Sequence, residues 1–579
     1  MFDFIVLSNK LPIRKILCLF LFILALGLRL YHYDFFDLWH DEIGNDLYGA
    51  KSIQITAELT DTPAIEVFTD MLMRDPHSPI YNILVYLYSV LIGDGMSLRL
   101  MSVFFSMMAL IVLWYIAHHF VNPRVGFYTL LIMAVNPFHL WYAQEARGYA
   151  MAVFVCLVWV YFYLKVFQTD RRGHWVMFTV MGFMAVLSNY FAVFLLLFSF
   201  IPLLTQKHRS KLFKWILSIV IILIVIFALK ALFSEHMDMV RKNFWLISPR
   251  YEVFLFAWMI FGVGYSGSNY FHFLLSFLFF FSIACYGIFA LFKVDKVQSV
   301  SLSAFLFCPV IIMFYLSRWI LPVFVHRQLI IFSPFYYLLM ACGIDALKKK
   351  HYKVICVIIF CAFQLPALTN YYKGYAYPRG YLQAVFMGTP PKRQASEILD
   401  PLPLNMKEGD IVVAANFHSY VLTRQQVYRH YAKYRDKLPE SFYKVFFPYG
   451  ISAFEIFFLG MENEYDIVDE SDPLQFYKFT PFKNDRLLSE FNIEDLSFNR
   501  LWLVYSMWIK DGLLDQETKT VRDLFYHHFK RVDVFQKDGV WVEVYINEPA
   551  SIHQIEEKEN CVMPSPQLQK IFDKFTVNP

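Results

Sequence analysis

Residues 15–42 read KILCLFLFILALGLRLYHYDFFDLWHDE, an apolar run that ends in two adjacent carboxylates. A helix needs about 20 predominantly apolar residues to cross a bilayer, and the stretch from about 14 to 33 supplies that length. No small-residue cleavage site follows it, so we predict a retained membrane anchor rather than a signal peptide. The acidic pair Asp41 and Glu42 should therefore stand just beyond the first membrane span.

The composition of the whole chain points the same way. Of its 579 residues, 58% are hydrophobic and 19% are aromatic, and the mean hydropathy is +0.43. A soluble protein of this length is rarely so apolar, which predicts a polytopic α-helical membrane protein. The net charge of +4 is too small to indicate a nucleic-acid partner.

Two of the apolar runs, 80–93 and 251–264, are only about 14 residues long, a length that is more often interfacial or re-entrant than spanning. We expect both to form surface juxtamembrane helices on the outer side. The other runs predict about 11 transmembrane helices, at roughly 14–33, 98–119, 125–143, 149–167, 174–189, 190–205, 214–233, 270–292, 301–320, 326–346 and 353–370.

The charges of the loops orient these spans. Lys and Arg are enriched in cytoplasmic loops, and with this set of spans the basic segments KHRSKLFK (207–214) and KKKHYK (348–353) both fall inside. The N-terminus is therefore predicted inside, and the chain beyond the last span outside.

The chain changes character after the last span. GDIVVAAN (409–416), LWLVYSMW (501–508) and VWVEVYIN (540–547) predict strands, because they are rich in β-branched and aromatic residues. TVRDLFYHHFKRV (520–532) predicts an amphipathic helix. We thus predict a transmembrane module at 1–370 and a soluble mixed α/β domain at 371–579, with a loosely ordered tail from about 549.

Four polar segments share the outer side in this topology. They are WHDE (39–42), RDPHSPIY (74–81) with GDGMSLRL (93–100), WYAQEARGYA (141–150) and VFVHRQL (323–329). Charged residues at membrane depth are costly and commonly mark a functional site. A carboxylate base beside several cations suits displacement of a phosphate from a lipid-bound donor, since the base takes the hydroxyl proton and the cations stabilise the departing charge.

Each of these residues also has a structural interpretation. Asp41 could cap an interfacial helix, since Asp favours helix starts. Glu145 and Arg147 could form an interfacial ion pair, and Arg327 could be a snorkelling anchor.

Three segments together resemble a known superfamily. They are LWHDEIGNDLYGA (38–50), DPHSPIYNILVYLYSVLIGDGMSLRLMSVFFSM (75–107) and NPFHLWYAQEARGYAMAVF (136–154). In this order they resemble the bacterial members of the C class of glycosyltransferases (GT-C), which include protein O-mannosyltransferases and the aminoarabinose transferases of lipid A. VHRQLIIFSPFYYLLMACGI (325–344) looks like a further helix of this family.

The resemblance implies a GT-C fold and an inverting glycosyltransferase. It implies a polyprenyl-phosphate sugar donor and a glycan, lipid or protein acceptor, at the outer face of the bacterial inner membrane. The C-terminal domain would then be periplasmic. Asp41 matches the catalytic aspartate of the family, a general base, and Glu42 matches its acidic neighbour.

Other positions match with more specific roles. Asp75 and His77 match the polar residues around the family's proline motif, where some members hold a metal, so a divalent metal is a candidate cofactor. Arg99, Arg147 and Arg327 match positions that meet phosphate or brace the cavity, with Glu145 beside them. The chain departs from the family at two sites: Ser follows His77 where Pro is frequent, and His326 and Gln328 flank Arg327 where Pro and Tyr are usual.

Two other classes of protein remain open. A membrane transporter or lipid flippase for envelope precursors would also have many spans and intramembrane charges. Transporters often show paired repeats and broken helices near the midplane, and no internal repeat is visible in this sequence. The other class is a non-catalytic scaffold whose outer domain binds envelope polymers.

The predicted topology can be tested with reporter fusions. Fusions at Gly95 and Ser268 should report the outer side, as should fusions near Asn45, because the two short runs are not expected to cross. An inner-side signal at Gly95 or Ser268 would require further spans and would relocate the polar segments.

Overall fold

The structure is a computed structural model that describes the chain between residues 13 and 549 with gaps. Within 13–374 the gaps are 37, 39–41, 43–44, 46–47, 51, 55–56, 58–61, 75–78, 94 and 233–248. Beyond residue 374 the described residues are 407, 410–414, 445–446, 498–506, 516–537 and 540–549. The chain divides into two compact units, a helical one and one built around a C-terminal sheet, and the latter also includes the described residues from Phe35 to Glu42.

The α-helices of the helical unit have the following bounds. They are α1 (Ile13–Leu30), α2 (Ala64–Arg74), α3 (Pro79–Leu91), α4 (Leu98–Ile116), α5 (Pro123–Val135), α6 (Pro137–Ala143), α7 (Tyr149–Thr169), α8 (Arg172–Ser188), α9 (Val193–Phe198), α10 (Leu212–Leu232), α11 (Tyr251–Val263), α12 (Tyr270–Val294), α13 (Lys296–Trp319), α14 (Ser333–Ala346) and α15 (Lys350–Tyr372). Their buried apolar side chains form one continuous core.

Within the described residues, six stretches are long and apolar enough to cross a membrane. They are Leu98–Val121, Tyr149–Thr169, Gln206–Phe227, Tyr270–Val294, Lys296–Trp319 and Lys350–Tyr372. This confirms the predicted class, a polytopic α-helical membrane protein. Length and composition do not by themselves fix the predicted number of about 11 spans.

Two predicted spans differ from continuous helices. The span at 190–205 is divided into the 3₁₀ turn Tyr190–Ala192, helix α9 and the 3₁₀ turn Ile201–Leu204. Pro202 contributes to this division, because it has no N–H to continue an α-helix. The span at 326–346 begins with the 3₁₀ turn His326–Ile331, and only α14 is α-helical.

Helix α11 enters the helical unit from the end at which α13 finishes. Its first residue, Tyr251, lies beside Arg318 in the last turn of α13, with 4.9 Å between the guanidinium carbon and the ring centre. Trp258 then packs on Phe307, about halfway along α13, with ring centres 5.2 Å apart. Helix α11 has 13 residues, which is about 20 Å at 1.5 Å per residue and too short for a hydrocarbon core of about 30 Å.

The chain then returns to the end at which it entered. It turns at Gly264, whose φ of 63° favours glycine and where an added Cβ would lie 2.7 Å from the Phe138 nitrogen. Near the end of α15, the Asn370 amide donates to the Ser266 carbonyl at 2.9 Å. The segment therefore begins and ends at the same end of the helical unit, and Phe256–Val263 is buried inside the protein. Of the two predicted alternatives, an interfacial or a re-entrant helix, this burial favours the re-entrant one.

One asparagine joins this re-entrant helix to a break in a predicted span. Asn136 separates α5 from α6, and its side-chain oxygen accepts from the Phe138 N–H at 3.0 Å, which caps α6. Its side-chain nitrogen donates at 3.0 Å to the carbonyls of Phe261 and Gly262, at the end of α11. A single buried amide thus closes the beginning of one helix and the end of another.

The end of α5 is closed by a fully buried arginine of α1. Arg29 donates from Nη1 to the Ala134 carbonyl at 3.1 Å and from Nη2 to the Met133 carbonyl at 3.4 Å. Its Nε donates to the Ser106 hydroxyl of α4 at 2.8 Å. Because carbonyls at a helix end find no water inside a bilayer, Arg29 fixes α1, α4 and α5 together at this break.

The C-terminal unit contains a five-stranded mixed sheet in the order β2–β1–β3–β5–β4. Its elements are β1 (Ile411–Ala414), β2 (Val445–Phe446), β3 (Arg500–Ser506), α16 (Gln516–His528), β4 (Lys530–Lys537) and β5 (Val540–Ile546). Strands β2, β1 and β3 are parallel, whereas β5 is antiparallel to both β3 and β4. The strands predicted at 409–416, 501–508 and 540–547 and the helix predicted at 520–532 are present, and the predicted tail beyond 549 lies outside the described residues.

A buried carboxylate organises this sheet. Glu543 on β5 is 1% exposed and accepts from Arg522 of α16 at 3.1 Å and from Arg531 of β4 at 3.2 Å. The Tyr505 hydroxyl of β3 donates to it at 3.0 Å. Burial raises the pKa of Tyr505, and the Glu543 carboxylate raises it further. A buried charge needs such partners, so Glu543 links three strands to the helix.

Loss of the Asn136 side chain should destabilise the helical unit. Asn136→Ala leaves the Phe261 carbonyl and the start of α6 without the Asn136 side chain, whereas the Gly262 carbonyl keeps the Gln364 amide, and each buried unsatisfied group costs about 1–3 kcal/mol. Thermal unfolding in detergent should show a larger fall in Tm than for Asn269→Ala, because Asn269 caps α12 at an exposed position. Equal losses in the two variants would mean that the contacts to α11 contribute nothing.

Candidate functional site

The structure describes five of the eight residues predicted for the site. Asp41, Asp75 and His77 lie outside the described residues, so their predicted roles are untested. Glu42 is described and is 1% exposed. The remaining predicted residues all lie in the helical unit and are buried: Arg99, Glu145, Arg147 and Arg327.

The segment Gln144–Gly148 connects α6 to α7 and carries the QEAR motif; we call it the QEAR turn. Helix α6 ends at Ala143, and α7 begins at Tyr149. The turn is stabilised locally by a hydrogen bond from the Arg147 N–H to the Glu145 carbonyl at 2.7 Å. Because the turn is short, its polar side chains leave in different directions and contact different elements.

Gln144 closes the end of the first helix. Its side-chain nitrogen donates to the Tyr31 carbonyl at 2.7 Å and to the Arg29 carbonyl at 2.9 Å. Its side-chain oxygen accepts from the Tyr371 hydroxyl of α15 at 2.6 Å. Gln144 therefore holds the residues that precede the acidic pair of the first loop, which we define as residues 34–44.

Arg147 holds the other end of the first loop. Its Nη1 donates to the Asn45 side-chain oxygen at 2.8 Å, and the Asn45 amide donates back to the Ala146 carbonyl at 3.3 Å. The Ser102 hydroxyl of α4 contacts the Arg147 carbonyl at 3.4 Å. Asn45 is 5% exposed, so this reciprocal pair is shielded from water.

Arg99 supports the near end of the same loop. It lies in the first turn of α4, is 1% exposed, and donates from Nη1 to the Tyr33 carbonyl at 2.9 Å. Arg99 and Glu145 both lie within electrostatic range of Tyr371. The resemblance implied that Arg99 and Arg147 either meet phosphate or brace the cavity, and these contacts of both guanidinium groups brace the ends of the first loop.

Two buried tyrosines meet beside the end of α6. The hydroxyls of Tyr142 and Tyr265 form a hydrogen bond of 2.7 Å. Tyr265 follows the turn at the end of α11, so the re-entrant segment carries it to this position. The hydroxyl pair therefore joins α6, which precedes the QEAR turn, to a residue far away in the sequence.

The departures from the family around Arg327 have structural partners. His326 contacts the Val253 carbonyl of α11 through Nε2 at 3.0 Å. Gln328 accepts from the Asn189 amide, at the end of α8, at 3.0 Å. These two residues attach the 3₁₀ turn to its neighbours, and Arg327 between them is 9% exposed.

Sequence reasoning missed several residues of this arrangement. Asn45 and Gln144 stand inside the quoted motifs but carried no predicted role. Tyr265 and Tyr371 lie outside the quoted motifs and just beyond the predicted apolar runs, and they also carried no predicted role. The quoted motifs contain Asn45 and Gln144 and so gave a signal for them, whereas only the three-dimensional structure identifies Tyr265 and Tyr371.

No metal site is visible in the described part of the chain. No group of three or more His, Cys, Asp or Glu side chains there could hold a metal ion. Because Asp75 and His77 lie outside that part, the candidate metal at these two residues stays a prediction.

A family model matches part of the chain. Residues 76–232 match the family described as dolichyl-phosphate-mannose-protein mannosyltransferase. This match confirms the resemblance to protein mannosyltransferases and supports the predicted GT-C class. It includes Arg99, Glu145 and Arg147, but not Asp41 or Arg327. No curated protein sequence matches the chain.

Solved structures of membrane transferases are similar in overall chain trace. ArnT from Cupriavidus metallidurans in the apo state is 12% identical, with a TM-score of 0.49 over 92% of this chain and 98% of that one. The same protein bound to undecaprenyl phosphate gives 12% and 0.48 over 93% and 98%. The oligosaccharyltransferase AglB from Archaeoglobus fulgidus, in complex with an inhibitory peptide and a dolichol-phosphate, gives 11% and 0.45 over 93% and 74%.

Gln144→Glu should destabilise the helical unit although the two side chains have nearly the same shape. A carboxylate would keep the Tyr371 hydroxyl as a donor, but its second oxygen would face the carbonyls of Arg29 and Tyr31, and a buried charge that faces acceptors is costly. Gln298→Glu is the matched control, because Gln298 also donates to a carbonyl, that of Phe120, but lies at a helix start where an acidic group is favourable. A lower Tm is expected for Gln144→Glu alone; equal Tm values would remove Gln144 from the support of α1.

Proposed function

We propose that the protein is a polyprenyl-phosphate-dependent glycosyltransferase of the GT-C class. It moves a sugar to a glycan, lipid or protein acceptor at the outer face of the bacterial inner membrane, with inversion at the anomeric carbon. The observation that carries this proposal is the match of residues 76–232 to the mannosyltransferase family. The buried QEAR turn lies inside the matched segment and organises both ends of the first loop.

The reaction is a single displacement. The acceptor hydroxyl oxygen attacks the anomeric carbon, and the bond from that carbon to the donor phosphate breaks. The hydroxyl proton passes to the Asp41 carboxylate as general base, and the polyprenyl phosphate leaves with the bonding electron pair. Glu42 orients the first loop. Adjacent residues on a helix point about 100° apart, so Asp41 and Glu42 are given different tasks.

The three predicted arginines have two different roles in this proposal. We assign the departing phosphate to Arg327, because a guanidinium stabilises phosphate charge in a bidentate manner. Arg99 and Arg147 act by bracing the cavity, as their contacts with Tyr33 and Asn45 indicate. Glu145 belongs to the polar wall with Tyr265. A divalent metal at Asp75 and His77 stays a proposal from the resemblance, and none of these steps depends on it.

Sugar transfer distinguishes this function from the other two classes. Purified protein supplied with radiolabelled polyprenyl-phosphate sugars and an envelope acceptor should form a new glycosidic bond with saturable kinetics. A transporter or flippase would show flux without a new bond, and a scaffold would show neither.

Asp41→Asn should abolish most of the turnover without preventing donor binding. Asn nearly matches Asp in shape but cannot take a proton at neutral pH, and the loss of a positioned base costs about 10² to 10⁴ in rate. The KM for the donor should stay near the wild-type value while kcat falls by roughly this factor. Glu42→Gln is the neighbouring control, with a smaller loss expected. Near-normal turnover by Asp41→Asn would move the base elsewhere.

A further inference from the structure

Asn45 occupies a position that the proposed chemistry does not yet use. It follows the first loop directly, and its amide makes hydrogen bonds in both directions with the QEAR turn. The oxygen accepts from Arg147 Nη1 at 2.8 Å, and the nitrogen donates to the Ala146 carbonyl at 3.3 Å. With 5% exposure, neither bond is readily replaced by water.

The opposite end of the first loop is held by independent contacts. Tyr33 receives a hydrogen bond on its carbonyl from Arg99, and Tyr31 receives one from Gln144. In the sequence, Asp41 and Glu42 lie between Tyr33 and Asn45, the two residues that these contacts hold. Loss of the Asn45 side chain releases one of these two residues.

We propose that Asn45 is a positioning residue for sugar transfer, and that Arg147 acts through Asn45 rather than on the donor phosphate. The inference rests on the proposed function, since it assumes that the first loop carries the base. Misplacing a reacting group by about 1 Å can cost about 10² in rate. Loss of the contact between Asn45 and Arg147 should therefore lower kcat. Loss of a contact between Arg147 and the phosphate of the bound donor would instead raise the KM for the donor.

A double-mutant cycle tests this assignment. Asn45→Ala, Arg147→Ala and the double variant are compared in kcat and in KM for a polyprenyl-phosphate sugar that the wild type uses. Each single variant should lose roughly 10- to 100-fold in kcat with KM near the wild-type value. The double variant should be no slower than the slower single, because residues that act through one contact are not additive.

Two further variants separate positioning from loss of fold. Asn45→Asp keeps the oxygen that accepts from Arg147 and should retain more turnover than Asn45→Ala. Asn122→Ala removes a cap at the start of α5, away from the loop, and should leave kcat unchanged even if Tm falls. If Asn45→Ala does not fold, Asn45→Asp and Arg147→Lys are compared instead. If Arg147 acts through Asn45, both variants should lower kcat and leave the KM for the donor near the wild-type value.

The outcomes that would overturn the inference differ from those that would overturn the function. Additive losses in the cycle, or a raised donor KM for Arg147→Ala with Asn45→Ala unaffected, would return Arg147 to the phosphate. A wild-type protein that transfers no sugar from any of the polyprenyl phosphates supplied would instead reject the proposed function, before any variant is compared.

Discussion

The structure depends on one constraint, the need to satisfy every backbone polar group that a broken helix exposes inside a membrane. The breaks in this protein are closed by long-range side chains. Arg29 closes the end of α5, and Asn136 closes the start of α6 together with the end of α11. Gln364 of α15 also donates to the Gly262 carbonyl at 2.8 Å. Helix α11 is therefore held in the helical unit by two side chains from other segments, Asn136 and Gln364.

The same kind of contact organises the candidate site. Gln144 donates to a carbonyl at the end of α1, in the same way that Arg29 donates to a carbonyl at the end of α5. Arg29 of α1 thus supports the end of α5, and Gln144, which follows α6, supports the end of α1 from which the chain enters the first loop. Arg147 contacts Asn45, the residue that follows this loop. Side chains of the QEAR turn therefore contact the chain on both sides of the first loop.

The turn that carries Arg327 is also held by side-chain contacts to other helices. Its 3₁₀ turn is irregular backbone buried in protein, the situation in which such backbone is tolerated at membrane depth. His326 reaches the carbonyl of Val253, and Gln328 reaches Asn189. His326 and Gln328 thereby hold the turn to α11 and to the end of α8, and Arg327 between them is buried.

The sequence by itself determined the class of protein, the resemblance to mannosyltransferases and the strands and helix of the C-terminal unit. Apolar length indicates the class, the ordered motifs carry the resemblance, and enrichment in β-branched and aromatic residues indicates the strands. Only the tertiary structure decided that 251–264 is re-entrant and buried, that 190–205 is divided, and that Arg147 meets Asn45. The physical reason is distance along the chain: an apolar run signals burial but not its partner, and the acceptors of Arg29, Asn136 and Arg147 lie more than a hundred residues away.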